Sequence, residues 1–324
     1  MSQSEVIKNF LQEELLLFDD YLRKAIKSDN PRLSEMIAHV FKANGKRLRP
    51  TLVLLTAKAC GGIIPETYHG AVTVELLHTA SLVHDDVIDR SDTRRGRRSV
   101  NAVYDNTNAV LIGDYLLSTA LSQSVKTRNL EIVRIMSELG KSLAEGELNQ
   151  FFLASEIIID EDAYFNVIDK KTASLMRASI AIGAITGGAS DEMVPRLAYM
   201  GSILGVCFQI RDDIFDYYQA DVGKPTGNDI KEGKITLPLI YALREAPESL
   251  RAEMIAIIES QEYTDDNIAR LLRFAKEQGG VEYAYKKMDS LLAEGEGIIS
   301  NFPFNDEIKS LMRLFLAYLR DRSY

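Results

Sequence analysis

Apolar residues recur at intervals of three and four along most of the chain, a spacing that commits it to helices. From about Val6 to Ile26 the series runs Val6, Phe10, Leu11, Leu15, Phe18, Leu22 and Ile26. Thr51–Ala59 is apolar and ends at Gly61-Gly62, a helix stop. Further helices are predicted from about His69 to Ile88, from Ala109 to Val125, near 130–154 and 161–186, and from Val194 to Tyr218. The C-terminal segment repeats the pattern with Ile308, Leu311, Met312, Phe315, Tyr318 and Leu319. Ile157-Ile158-Ile159 is the best strand candidate and is too short to build a sheet. No Pro/Ser-rich linker and no solenoid repeat divides the 324 residues, so one all-α domain over 1–324 with a broad apolar interior is predicted.

At 46% hydrophobic and 26% charged residues the chain has ample side chain to bury, which excludes disorder as its resting state. Two cysteines, Cys60 and Cys207, suggest no disulfide framework. The longest charge-free stretch, Leu197–Ile210, falls short of the roughly 18–20 apolar residues that span a bilayer. Glu5, Lys8, Glu13 and Glu14 break any signal-peptide pattern, and a cytoplasmic protein is expected. A net charge of −9 argues against nucleic acid as a partner. Yet the positive charge is clustered: Lys42, Lys46, Arg47 and Arg49; then Arg90, Arg94, Arg95, Arg97 and Arg98; then Lys224, Lys231 and Lys234.

Two of these clusters follow paired acidic motifs. Asp85-Asp86-Val87-Ile88-Asp89 closes an apolar run, Leu76–Val83. On a helix, positions i, i+1 and i+4 fall at about 0°, 100° and 40°, so the three carboxylates share one arc. Asp212-Asp213-Ile214-Phe215-Asp216 repeats the pattern after Ile203, Leu204, Val206, Cys207, Phe208 and Ile210. Crowded carboxylates repel one another unless cations compensate, and oxygen ligands in this pattern suit a hard divalent ion such as Mg²⁺. Such ions keep part of their shell for phosphate oxygens, and nearby Arg and Lys complete a phosphate site. No Walker-type glycine loop appears, so the phosphate-bearing partner is not read as a nucleotide.

These motifs resemble, in order, those of the all-trans polyprenyl diphosphate synthases. The resemblance runs from about residue 20 to the C-terminus. It is carried by Gly45-Lys46-Arg47-Leu48-Arg49-Pro50, by Asp85–Asp89 with Arg94-Arg95-Gly96, and by Lys171-Thr172-Ala173. Phe208-Gln209 with Asp212, Asp213 and Asp216, then Gly223-Lys224-Pro225 and Gly233-Lys234, complete it. It implies a helical bundle around a deep central cavity, usually dimeric, with the two aspartate motifs facing each other. Carried over by residue, Asp85, Asp89 and Asp212 hold Mg²⁺, three ions with substrate bound, and Asp86, Asp213 and Asp216 support them. Arg94, Lys171, Thr172, Gln209, Lys224 and Lys234 surround an allylic diphosphate primer. Lys46, Arg49, His78 and Arg95 bind isopentenyl diphosphate. Many family members have Pro and His where this chain has Arg98 and Asn101, which bears on the conformation of that loop.

The implied reaction is ionisation of the allylic diphosphate, attack by the double bond of isopentenyl diphosphate, and proton loss. Ala80 and Ser81 lie five and four residues before Asp85, roughly 6–7 Å below the carboxylates. Small residues there leave a product tunnel open, so a long product of about C30–C50 is predicted, with a quinone side chain as its destination by resemblance. Such a product suggests transient membrane contact on release. A terpene cyclase would not need Lys46, Arg49 and His78, and a noncatalytic helical subunit could lose motif aspartates that this chain retains. His84 reads as a structural residue, Phe151-Phe152 as lining the tunnel or, the safer reading, packing between helices, Lys231 as a solvated lysine, and Gly113-Asp114 as a family element with a packing role as one reading.

Overall fold

The computed structural model describes residues 3–42, 45, 47–218 and 226–320. Lys46 and Lys224 lie outside the described residues. Helices dominate: α1 (Gln3–Phe10), α2 (Gln12–Ala25), α3 (Pro31–Phe41), α4 (Leu48–Cys60), α5 (Pro65–Ile88), α6 (Val100–Lys126), α7 (Leu130–Glu156), α8 (Glu161–Ile168), α9 (Ser174–Thr186) and α10 (Met193–Asp216). They continue with α11 (Asn228–Lys231), α12 (Leu237–Glu245), α13 (Glu248–Ser260), α14 (Asp265–Glu277), α15 (Gly280–Asn301) and α16 (Asp306–Arg320). Contacts group the chain into two compact units. The first holds Met1–Lys141, Leu175–Gly201 and Phe304–Leu311; the second holds Ser142–Ser174, Ser202–Pro303 and Met312–Tyr324.

In the first unit α5 packs most extensively against α6 and also against α4 and α2. Its core includes Leu52, Val53, Leu54, Ala71, Val72, Val74, Leu76 and Leu116, all closed to solvent. Gly183 lies against α4 so closely that an added Cβ would stand 2.4 Å from the Val53 carbonyl oxygen. Gly113 makes room for a ring in the same way. His84 Nε2 lies 3.2 Å from the Val110 carbonyl oxygen, and a Cβ at Gly113 would meet that imidazole. His84 and Gly113 are therefore a packing pair. In the second unit α12 packs against α8, α14 and α15.

Local chemistry refines four predicted elements. The first predicted helix is interrupted at Leu11, between α1 and α2. The helix predicted from Ala109 begins at Val100 but kinks at Asp105 (φ 74°, ψ 168°), whose carboxylate accepts from the Asn108 N–H at 2.9 Å and starts the helix anew. The predicted helix 161–186 is divided by a π-turn, Asp169–Ala173. Ile157–Ile159 forms no strand, because Ile157 closes α7 in the left-handed region (φ 53°). The only strands among the described residues are Thr93–Arg94 (β1) and Arg97–Arg98 (β2), an antiparallel pair. Phe151 and Phe152 are exposed rather than packed between helices.

The 24-residue α10 is long and apolar enough to cross a membrane by length and composition, although the charge-free stretch within it is shorter. More than half of its most apolar window is buried inside the protein, and it ends on Asp212, Asp213 and Asp216. Both features match the core helix of a folded unit.

Candidate active site

The first aspartate motif ends α5. Asp85 and Asp86 sit in its last turn and Asp89 is its C-cap, with an N–H that reaches the Asp85 carbonyl. That end of a helix carries partial negative charge from unpaired carbonyls and favours cations. Asp86 is buried, and Arg94 donates to its Oδ1 through both Nε, at 2.8 Å, and Nη2. Burial raises the Asp86 carboxyl above its usual range and the Arg94 bond opposes that rise. The β1–β2 hairpin presents Arg94. Its two-residue turn, Arg95 (φ 53°) and Gly96 (φ 73°), has the paired positive φ of a tight primed turn. Asn101 braces the loop, its Nδ2 donating to the Ser91 carbonyl at 3.1 Å and to the Asp86 carbonyl at 3.3 Å. A residue at which the chain departs from many family members therefore still holds this loop.

Beside the hairpin, described residues of the early basic motif meet α5. Arg47, left-handed at φ 54°, heads α4 and donates to buried Glu75 at 2.7 Å, so its charge is engaged within the fold. Burial pushes the Arg49 guanidinium down to about 10, opposed by Glu75 and aided by Arg95. His78 is buried, and burial followed by the charges of Arg49, Arg95 and Arg94 holds its imidazole well below the ordinary value. It is neutral at pH 7. Arg49 Nε and His78 Nδ1 are both buried without a hydrogen-bond partner. A Cβ at Gly45 would stand 2.6 Å from Arg95 Nη1, so the early motif reaches the hairpin arginine directly. A cavity of about 60 Å³ nearby is lined by His39, Asp86, Arg94, Arg95, Arg97 and Arg98. Ala80 is buried, and the Ser81 hydroxyl donates to the His78 carbonyl at 2.9 Å.

The second unit carries a cavity of about 210 Å³. Its polar wall includes Lys171, Thr172, Gln209, Asp213, Asp229 and Lys234; Leu153, Val167, Ile168, Ile235 and Ile240 supply apolar wall. Asp213 is buried. Its Oδ2 accepts from the Tyr164 hydroxyl at 2.6 Å and its Oδ1 from Gln209 Nε2 at 2.8 Å. Gln209 Oε1 in turn accepts from Thr172 Oγ1 at 2.8 Å. Lys171 Nζ lies 2.6 Å from Glu147 and 3.2 Å from Gln150 Oε1. The Asp216 carboxylate accepts the backbone N–H groups of Asn228 and Asp229, each at 3.0 Å, and so ties α11 to the end of α10. Lys234 pairs with Glu232.

Burial, the neighbouring Asp229 and Asp212 push Asp213 up to about 8, and burial and Asp216 push Asp229 up to about 6. Acids packed this tightly favour a cation or a proton among them. Asp229, Tyr164, Glu147 and Gln150 were not among the predicted site residues. Asp229 lies in the short α11 after Asp216, and Tyr164 lies two turns before Lys171; neither belongs to a dense motif.

Among the described residues no three acidic, His or Cys side chains converge into a closed metal site. The reason is local. Asp86 is turned onto Arg94, and Asp213 is held between Tyr164 and Gln209. The carboxylates of Asp85, Asp89 and Asp212 are the donor type that fits a hard divalent metal ion taking its other ligands from water and phosphate oxygens.

A helical chain with two acid-tipped helices, each beside basic side chains, has the parts of a phosphate-ester transferase. The polyprenyl synthetase family model matches residues 30–274, and the chain belongs to that family. Heptaprenyl diphosphate synthase component 2 of Geobacillus stearothermophilus is 33% identical over 320 residues, covering 98% of each chain. The solved decaprenyl diphosphate synthase of Rhodobacter capsulatus is 34% identical, with a TM-score of 0.93 over 98% of each chain. The geranylgeranyl pyrophosphate synthase of Bacteroides thetaiotaomicron is 38% identical, with a TM-score of 0.85 over 99% of each chain. The fold is the all-α isoprenoid synthase fold, and the enzyme is a trans-polyprenyl diphosphate synthase that transfers prenyl groups. The family works on isopentenyl and allylic diphosphates with a divalent metal.

Proposed function

We propose that this chain joins isopentenyl diphosphate to an allylic diphosphate repeatedly, with Mg²⁺, three ions when substrate is bound, to give an all-trans chain of about C30–C50 for a quinone side chain. The observation that carries this reading is the shared construction of the two motifs. In each, the middle aspartate is anchored by protein donors, Arg94 on Asp86 and Tyr164 with Gln209 on Asp213. The flanking acids Asp85, Asp89 and Asp212 are the proposed metal ligands. Bound magnesium supplies charge neutralisation of the departing diphosphate.

The residues present do the rest. Arg94, Lys171, Thr172, Gln209, Lys224 and Lys234 hold the allylic diphosphate. Lys46, Arg49, His78 and Arg95 hold isopentenyl diphosphate, and the unpartnered Arg49 Nε and His78 Nδ1 support an anion site there. The C–O bond breaks with its electron pair going to diphosphate; the double bond of isopentenyl diphosphate attacks the allylic cation; the proton then lost passes to the released diphosphate. Preorganised cations favour the charge that develops, and the apolar wall around Leu153, Val167, Ile168 and Ile240 keeps water from the cation.

The family match over 30–274 supports one catalytic domain spanning 1–324. A homodimer is proposed from α6, where Val110, Leu117, Leu121 and Val125 form an exposed apolar stripe at spacings of seven and four. Water-borne diphosphate substrates support a cytoplasmic enzyme with transient membrane contact at product release. Mass spectrometry of the product made by the purified chain from Mg²⁺, isopentenyl diphosphate and a set of allylic primers tests the reading. A ladder ending between C30 and C50 is expected; a cyclised hydrocarbon or no isopentenyl consumption would remove it. Light scattering tests the dimer, with Leu121→Asp expected to yield monomer.

A further inference from the structure

Between α8 and α9 the helix widens into the π-turn Asp169–Ala173. The Ser174 N–H reaches the Asp169 carbonyl, five residues back, instead of the Lys170 carbonyl it would meet in an α-helix. The Lys170 carbonyl so released is taken by two hydroxyls. Ser174 Oγ donates to it at 2.5 Å and Ser142 Oγ, from α7, at 3.4 Å. One turn along α7, Gly146 leaves the turn its space: a Cβ there would lie 3.0 Å from Lys170 Cβ and 3.1 Å from Lys171 N. Gly205 on α10 lies still closer, where a Cβ would stand 2.3 Å from Ala173 Cα.

The turn has a consequence for the cavity. Lys171 and Thr172 lie inside the turn, and both line the 210 Å³ cavity. We propose that the π-turn is a positioning device, in which Ser174, Ser142 and Gly146 hold the helix open so that Lys171 and Thr172 meet one diphosphate together. Ser174, Ser142 and Gly146 are positioning residues, since each acts through the turn. This inference rests on the assignment of Lys171 and Thr172 to the allylic diphosphate.

Steady-state kinetics with both substrates varied separately test it, using Ser174→Ala, Ser174→Thr, Gly146→Ala and Lys171→Gln in the full chain. Ser174→Ala removes the hydroxyl that holds the Lys170 carbonyl. It should raise KM for the allylic primer about fivefold, the scale of one lost hydrogen bond, and leave KM for isopentenyl diphosphate unchanged. Ser174→Thr keeps the hydroxyl and should restore the primer KM. Gly146→Ala presses on the Lys171 backbone and should act in the same direction, so it decides the matter if Ser174→Ala does not fold. Wild-type primer KM in both Ser174→Ala and Gly146→Ala, with Lys171→Gln impaired, would overturn the positioning role and leave the diphosphate assignment standing. An equal rise in both KM values would reduce the turn to a structural feature and overturn the proposal. Wild-type primer KM in Lys171→Gln would remove the assignment and the inference with it.

Discussion

The Tyr164 hydroxyl donates to Asp213 Oδ2 at 2.6 Å while Gln209 occupies the other carboxylate oxygen, so a buried acid of the second motif is held on both sides by protein. Thr172 extends the chain through Gln209, which links α8, the π-turn and α10 in one hydrogen-bonded line. Arg94 holds Asp86 in the corresponding position of the first motif. The middle aspartates are thus anchors, and their neighbours are the groups proposed to meet metal.

Tyr164→Phe keeps the ring and deletes one donor. Leaving a buried carboxylate short of one hydrogen bond costs about 1–3 kcal/mol. Urea unfolding should show a loss of this size, larger at pH 9 than at pH 6, because the donor matters most to the ionised acid. Equal stability of the variant and the wild type at pH 9 would show that the bond carries no weight.

The contribution of Asp213 to the stability of the metal-free protein should fall as pH rises from about 4 to about 8. Asp213 is pushed up to about 8, chiefly by burial, against about 3.9 for an unperturbed aspartate. At this group the folded state therefore binds more protons in that window, and its contribution to the slope of unfolding free energy against pH is negative there. Asp213→Asn removes the titrating group, so its urea midpoint should vary less across the window than the wild type's. An identical pH profile would contradict the assignment.

His78 contributes with the opposite sign. Burial and the surrounding arginines hold its folded pKa well below the usual 6.5. The unfolded chain then binds the extra proton below about pH 6.5, and this part of the stability is lost as pH falls. His78→Gln should be less sensitive to acid than wild type between about pH 6.5 and pH 5, measured by thermal melts. Greater acid sensitivity in the variant would refute a neutral buried imidazole.

Ala80→Phe places a large ring at a buried position of α5 near the first motif. Product chains should shorten while primer consumption persists, as read by mass spectrometry. The added volume should also lower stability by about 1–3 kcal/mol. An unchanged product distribution would take Ala80 out of the tunnel wall.

Helix content and the two acid motifs were legible because each depends on local spacing. Asp85–Asp89 and Asp212–Asp216 announce themselves as dense, charged clusters after apolar runs. Side-chain partners were not legible in the same way. The bond from Arg94 to Asp86 depends on a two-residue hairpin turn, and the one from Tyr164 to Asp213 joins positions 49 residues apart. The π-turn also left no periodic signal, since one widened turn barely shifts a hydrophobic stripe. The kink at Asp105 was half visible: the predicted start near Ala109 falls just after the cap on Asn108. Phe151 and Phe152 look like core residues by composition, and only the structure shows them exposed.

The most direct test measures isopentenyl diphosphate consumption against Mg²⁺ concentration for the purified chain, Asp85→Asn and Asp212→Asn. Wild type should turn over only with the metal. Each variant should lose about 10²–10³-fold in kcat, the scale of removing one preorganised electrostatic contact at a reacting centre. Turnover that survives chelation, or wild-type rates in both variants, would contradict metal-assisted ionisation at these two motifs.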